Sequence, residues 1–285
     1  MSHISGVSTR DWCSPDNRLH AVIRSARSLP RALLVCVHGG GCTGRYFDLR
    51  GFSFAEQAVA RGYLVGMVDR PAYGGSPPPA TDRPIAEAAA LIARAIPVLV
   101  ADLLPHGGPV ALVGHSIGGA VAIECAGYTP EIVSAVAVSG IGAVPSAAAM
   151  AAFDRAQGEG LPDPPPKLFF GPDGTFDWRG PIALRAASAP WRGDELRELR
   201  KEWPGRFAAA AEAVKQPVHL RLAEHEQLWE TGPQALAGLR RAFAAAESAD
   251  VAILPGGGHL YEIHKGGLEA GMARLDFLDR ALGIA

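Results

Sequence analysis

"LVGHSIGGAVAIECA", residues 112–126, decides how this chain is read. An apolar run beginning at Pro109 stops at Gly114, His115 and Ser116 follow, and after Ile117 two glycines open an apolar helical pattern that lasts to Tyr128. A short, continuous apolar run bounded by glycine reads as a strand buried on both faces, and the longer pattern after it as a helix. The turn between them is tight enough to need glycine on either side of the His-Ser pair. Such a turn lifts the Ser116 hydroxyl clear of the sheet, and Gly114 and Gly118 stand where the backbone must come close to other backbone. The helix starting at Ile117 aims free N–H groups and the positive end of its dipole at the same place. "GHSIG" fits the nucleophile elbow G-x-S-x-G, which makes Ser116 the candidate nucleophile. The plainer alternative for so short a pattern is a glycine turn that only joins strand to helix.

Outward from that turn the same alternation repeats. "LLVCVH" (33–38), "YLVGMVD" (63–69), "VSAVAVSG" (133–140), "PVHLRLAE" (217–224) and "VAILPG" (251–256) read as strands. "SFAEQAVARG" (53–62), "IAEAAALIARAIPVLVADLL" (85–104, with Pro97 a kink or break), "PQALAGLRRAFAAA" (233–246) and 267–282 read as helices. Doubly buried strands alternating with helices predict an α/β fold with a mostly parallel central sheet flanked by helices. "LHAVIRS" (19–25) is expected as an antiparallel edge strand. The alternation fails between about residues 145 and 214. That stretch holds Phe153, Phe169, Phe170, Phe176, Trp178, Trp191, Trp203 and Phe207, too many aromatics for a disordered linker. The expected organisation is a core of residues 1–144 and 215–285 with a cap, 145–214, inserted between two late strands. Within the cap, Phe169 and Trp178 are the candidate substrate-binding residues. A long structured loop without a substrate role is the alternative.

The bulk of the chain narrows the function classes. Its 285 residues, 48% hydrophobic, can bury a sizeable core, and 27 Lys and Arg against 29 Asp and Glu give no electrostatic platform for nucleic acid or an anionic membrane. Cys13, Cys36, Cys42 and Cys125 lack metal-ligand spacing; Cys36 and Cys125 lie in apolar runs as small core residues, and free thiols suit a reducing compartment. No signal peptide or membrane span is read from the sequence, so a cytoplasmic location is expected. The oligomeric state is not legible.

Two further glycine loops follow strands. In "VHGGGCTG" (37–44) three glycines can turn backbone N–H groups inward, so Gly40 and Gly41, with the Ile117 amide, are the candidate oxyanion hole. A phosphate cradle is the competing reading, but neither G-x-x-x-x-G-K-[ST] nor a G-x-G-x-x-G opening a helix is present. In "LPGGGHLYEIH" (254–264), His259 sits in a loop after the last strand, placed to take the proton from a serine hydroxyl; His264 ranks below it. No metal cluster, dinucleotide fingerprint or flavin motif is visible, so no cofactor is expected.

Strand–HGGG, strand–GHSIG–helix, a cap and a final strand–GGGH loop, in that order over nearly the whole chain, resemble the α/β-hydrolase superfamily. "DRPAYGGS" (69–76) is a partial match to its D-x-x-G-x-G-x-S loop. The resemblance also implies a carboxylate between Ser116 and His259 to hold the imidazole. "LAEHEQLW" (222–229) resembles the strand followed by G-x-x-D, which lays Ala223 on the glycine and Glu226 on the acid. Glu224 is the runner-up. A distant carboxylate such as Asp154, or a Ser-His dyad, stays open. The implied activity is a serine hydrolase acting on an ester or thioester of a small, hydrophobic acyl substrate. Acyl transfer or cyclisation, carbon–carbon bond cleavage on the same triad, and small-molecule binding without turnover are the alternatives.

Overall fold

The computed structural model describes residues 7–152 and 166–284; Phe153 and Asp154 lie outside them. Eight strands form one sheet: β1 (Ser8–Cys13), β2 (His20–Ser25), β3 (Ala32–Val37), β4 (Tyr63–Asp69), β5 (Val110–His115), β6 (Val133–Ser139), β7 (Val218–Ala223) and β8 (Ala249–Leu254). Their spatial order is β1-β2-β4-β3-β5-β6-β7-β8; β2 runs antiparallel to both its neighbours, β1 and β4, and the other neighbouring pairs are parallel. The segment expected at the antiparallel edge, β2, is the second strand. The edge is β1, whose "STRDWC" is mostly exposed and polar and so carries no buried-strand signature.

Strands β3, β4 and β5 are buried along their whole length, because helices cover both faces. Alternate residues of β3 divide between two cores: Leu33, Val35 and Val37 join one, Leu34 and Cys36 the other. Helices α2 (Pro84–Leu103) and α3 (Ile117–Tyr128) build the first core, and α1 (Phe54–Ala60) contributes to the second. Helix α2 runs on through Pro97 instead of ending there. Its 20 residues are long and apolar enough to cross a membrane by length and composition alone, a test that a buried core helix also passes. Here Ile85, Ala88, Ala89, Ile92, Ile96 and Leu99 bury one face in the core.

Between β6 and β7 the described chain forms α4 (Pro166–Phe170), α5 (Gly180–Leu184), α6 (Gly193–Lys201) and α7 (Trp203–Ala213). After β7 come α8 (Pro233–Ala242) and, closing the chain against α1, α9 (Gly267–Ala281). From β3 the chain crosses to β4 on one side, whereas from β5 it crosses to β6 on the other. The loops leaving β3 and β5 therefore part, and a crevice opens at their carboxyl ends, where open α/β sheets bind ligands.

Candidate active site

Strand β5 delivers Ser116 to that crevice. The serine has φ 54° and ψ −123°, a region that residues with side chains rarely occupy. Its surroundings hold it there. A Cβ on Gly118 would lie 2.0 Å from Val37 O, and one on Gly114 2.5 Å from Gly118 O. The flanking glycines are thus required by backbone contact, as the sequence implies. The Ser116 N–H donates to Ser139 O at 2.8 Å, which ties the turn to β6.

The loop after β8 brings His259 to the serine, and the loop after β7 brings Glu226 to the histidine. His259 Nε2 is 2.9 Å from Ser116 Oγ, and Nδ1 is 2.9 and 3.1 Å from the two carboxylate oxygens of Glu226. Ser116, His259 and Glu226 are 8%, 2% and 8% exposed. A carboxylate only accepts, so the imidazole proton resides on Nδ1 and Nε2 is left to accept from the Ser116 hydroxyl. The Leu228 N–H donates to Glu226 at 2.9 Å and helps orient it. Glu224 is exposed and accepts from the Gly256 N–H at 2.7 Å, so the two glutamates of "AEHE" have separate partners. His264 does not reach Ser116. It accepts from the Gly258 N–H at 3.0 Å and so braces the His259 loop. Gly140, which the sequence reading passed over, has φ 65°, and a Cβ there would be 2.9 Å from His259 Cε1. Its signal was a glycine closing the run 133–140.

Behind His259 lies a buried polar cluster assembled from distant parts of the chain. His115 stacks on Tyr46 with centroids 4.8 Å apart, and its ring lies 5.0 Å from that of His259. Burial pushes His115 down to about 4, so it is uncharged at neutral pH and does not oppose an imidazolium forming on His259. Burial alone would raise Glu262, but His115, which is protonated in the acid range where this carboxyl titrates, together with the Arg274 charge and a bond from the Tyr46 hydroxyl, outweighs it and holds the carboxyl at about 2. Arg274 donates to Glu262 and to Ser139 Oγ, each at 3.3 Å.

The glycine loop after β3 lies against the serine. A Cβ on Gly39 would be 3.1 Å from Ser116 Cβ, and one on Gly40 would be 3.0 Å from Ile117 Cδ1. Ile117 opens α3, so its N–H has no intrahelical acceptor. Of the two loop glycines expected to donate, Gly41 already points its N–H to the Tyr73 hydroxyl at 3.4 Å, which leaves Gly40 the better placed donor. The same glycines make room for Trp191. A Cβ at Gly40 or Gly41 would come within 2.6 or 2.7 Å of its indole. Phe169 is buried, 5.4 Å from Trp191 and edge-on to His259 at 5.7 Å between centroids.

Trp178 departs from expectation. It is 72% exposed, in a turn set by Asp177, which accepts from the Arg179 N–H at 2.9 Å and pairs with its guanidinium. Aromatic composition does not reveal which face a ring takes, and Trp191 is the tryptophan at the glycine loop. Trp203 is fully buried, donating to Gly142 O at 2.9 Å, and packs with Phe207 in the core. Among the described residues no group of three or more His, Cys, Asp or Glu is arranged to hold a metal.

Comparison with known proteins agrees with this architecture. The signature described as "Alpha/beta hydrolase family" matches residues 34–265. The pimeloyl-[acyl-carrier protein] methyl ester esterase of Xanthomonas oryzae pv. oryzae (strain MAFF 311018) is 29% identical over 250 residues, 79% of this chain and 87% of that protein. The protein of the same name from Xanthomonas campestris pv. campestris (strain B100) is 29% identical over 249 residues, with the same coverage. Among solved structures, a lipase-esterase related protein from Clostridium acetobutylicum superposes with a TM-score of 0.72 at 16% identity, over 91% of this chain and 99% of that one. The monoacylglycerol lipase of Paleococcus ferrophilus gives 0.65 at 21%, over 96% and 99%; these two likenesses concern the fold. With the signature spanning most of its length and the sheet order to match, the chain belongs to the alpha/beta hydrolase family.

Proposed function

We propose that Ser116, His259 and Glu226 are the triad through which this ester-cleaving hydrolase works, by an acyl-enzyme, on a small hydrophobic acyl ester. The observation that carries the reading is the continuous line of bonds from Ser116 Oγ to His259 Nε2 and from His259 Nδ1 to Glu226. As the Ser116 oxygen attacks the ester carbonyl carbon, its proton passes to Nε2 and Glu226 stabilises the imidazolium. The carbonyl oxygen, now negative, accepts from the Gly40 and Ile117 N–H groups. Collapse expels the alcohol, which takes the proton from Nε2. Water then enters by the same route, its proton going to His259, and the acid leaves with Ser116 restored. The described part of residues 145–214 acts as the cap, and Phe169 and Trp191 form the wall against which the acyl group lies.

A fluorophosphonate probe tests the nucleophile. Wild type is expected to label stoichiometrically, and Ser116→Ala to fold, to remain unlabelled and to lose most turnover, about 10⁴-fold or more. An adduct that persists in Ser116→Ala and maps to another residue would overturn the assignment. His259→Ala is expected to be dead and His264→Ala to retain turnover. A panel of methyl and p-nitrophenyl esters and of thioesters, graded in acyl length, then defines the substrate. Methyl esters lead the panel because the curated relatives are named for cleaving one.

A further inference from the structure

A buried ion pair lies directly behind the glycine loop, and the reaction described above has no use for it. Arg70 follows β4 and is fully buried. Its Nε donates to His38 O at 2.9 Å and its Nη2 to Gly39 O at 3.0 Å. The same guanidinium pairs with Glu195, through Nη1 and, at 3.3 Å, through Nη2. Glu195 is buried on α6, so the counter-charge comes from the cap and not from the sheet. The Tyr73 hydroxyl donates to Glu195 at 2.7 Å and accepts from the Gly41 N–H at 3.4 Å. Helix α6 is fastened a second time one turn on, where Glu198 accepts from the Ile85 and Ala86 N–H groups at the start of α2 at 2.7 and 3.2 Å.

His38 completes the grip. Its Nε2 accepts from the Arg70 N–H at 3.1 Å, so Nδ1 carries the proton and donates to Gly39 O at 2.8 Å. The Gly39 carbonyl is thus held by two donors, neither of them a member of the triad. A trans peptide is planar, and its N–H points opposite its C=O. Whatever fixes the Gly39 carbonyl therefore fixes the direction of the Gly40 N–H, which belongs to the same peptide. Glycines on both sides of that peptide offer little resistance to its rotation, so the restraint has to come from outside the loop. Stability is a poor reason for such a pair, since well-packed apolar residues commonly replace a buried ion pair at no cost to folding.

We propose that Arg70 is a positioning residue that aims the Gly40 N–H at the developing oxyanion, and that Glu195 and Tyr73 lock it there, so that the oxyanion donor is set only while the cap is seated. This rests on the acyl-transfer reading of Ser116. Two variants test it: Arg70→Met combined with Glu195→Met, which removes both charges together, and Tyr73→Phe, which removes one oxygen and leaves the ion pair. Each is assayed for kcat and KM on a p-nitrophenyl ester, for thermal midpoint, and for affinity toward a trifluoromethyl ketone. The hemiketal that this ketone forms with Ser116 presents an oxyanion to the same N–H groups.

The double variant is expected to keep its melting temperature while kcat and ketone affinity fall together by about tenfold or more, with KM little changed. Tyr73→Phe is expected to lose about threefold in both, on the same grounds. If the double variant does not fold, Tyr73→Phe decides on those readouts. Wild-type kcat and ketone affinity in a folded variant, or a loss confined to KM, would overturn the proposal. Failure of the Ser116 reading looks different, because wild type itself would then neither label with fluorophosphonate nor bind the ketone.

Discussion

The elbow, residues 114–119, and the proposed roof, residues 169–201, which reaches the glycine loop through Trp191 and His259 through Phe169, are held in place by different means. In the elbow the restraints are close contacts with backbone, some of it on the neighbouring strands. Ser116 sits at φ 54° because Gly114 and Gly118 press against carbonyls with no space for a Cβ. In the roof the restraints are side chains reaching across the chain. Trp191 lies on Gly40 and Gly41, Glu195 reaches Arg70 125 residues away, and Glu198 reaches the start of α2. Steric restraint of the first kind tolerates no substitution. Restraint of the second kind can be weakened by degrees.

The sharpest break of that comparison is Gly118→Ala. The added methyl would overlap Val37 O, which is main chain and cannot move aside, so the expected loss is about 5 kcal/mol or more and little folded protein. A soluble variant with wild-type melting temperature would show that the elbow is not sterically locked. Next comes Glu226→Gln, expected to fold normally and to lose up to about 10⁴ in kcat because the imidazole tautomer is no longer held; steady-state kinetics beside a melting curve tests both halves.

A third effect concerns stability against pH. Burial keeps His115 at about 4 in the folded protein, against 6.5 in the unfolded chain. Between those values the unfolded chain takes up a proton that the folded one refuses, so stability falls as the pH drops through that window and is regained as it rises. This one site contributes on the order of 3 kcal/mol. Urea unfolding of wild type and His115→Gln, compared near pH 7 and near pH 4.5, is expected to show the shallower decline in the variant.

On the roof, Trp191→Ala is expected to leave the fold intact and to shift the preferred acyl length upward, with about a tenfold change in relative kcat/KM between short and long esters. Unchanged ratios across the ester panel would remove Trp191 from the acyl wall. Smallest of all is Glu224→Gln. That carboxylate is exposed and caps only the Gly256 N–H, so kcat is expected to stay within about twofold. A crippled Glu224→Gln would exchange the roles of the two glutamates.

The same contrast explains how much was legible in the sequence. Ser116, Gly114, Gly118 and His259 announce themselves because tight turns confine the allowed residue types, and the alternation of apolar runs gives the parallel sheet. Glu226 needed a register laid over "LAEHEQLW" by family resemblance, since local sequence does not distinguish it from Glu224. Nothing local marked the pairing of Arg70 with Glu195, and Trp191 stood out only as one of the cap's aromatics. "DELRELRKEW" reads as a charged helix, and only the folded chain turns Glu195 and Glu198 inward. Strand β1 escaped notice because an exposed edge strand needs no apolar alternation, and Trp178 was set in the pocket because composition carries no direction.

The placing of the four thiols gives the molecule a built-in gauge of its own integrity. Burial pushes Cys36, Cys42 and Cys125 each to about 12, whereas Cys13 stands exposed on the outermost strand. A thiol reagent acts on the thiolate and must reach it. One equivalent of a maleimide is therefore consumed by the native protein, and the other three only as molecules open. Cys42 directly follows the glycine loop and Cys36 lies on the strand beneath it, so the order in which the two are modified tells whether the crevice loosens before the sheet does.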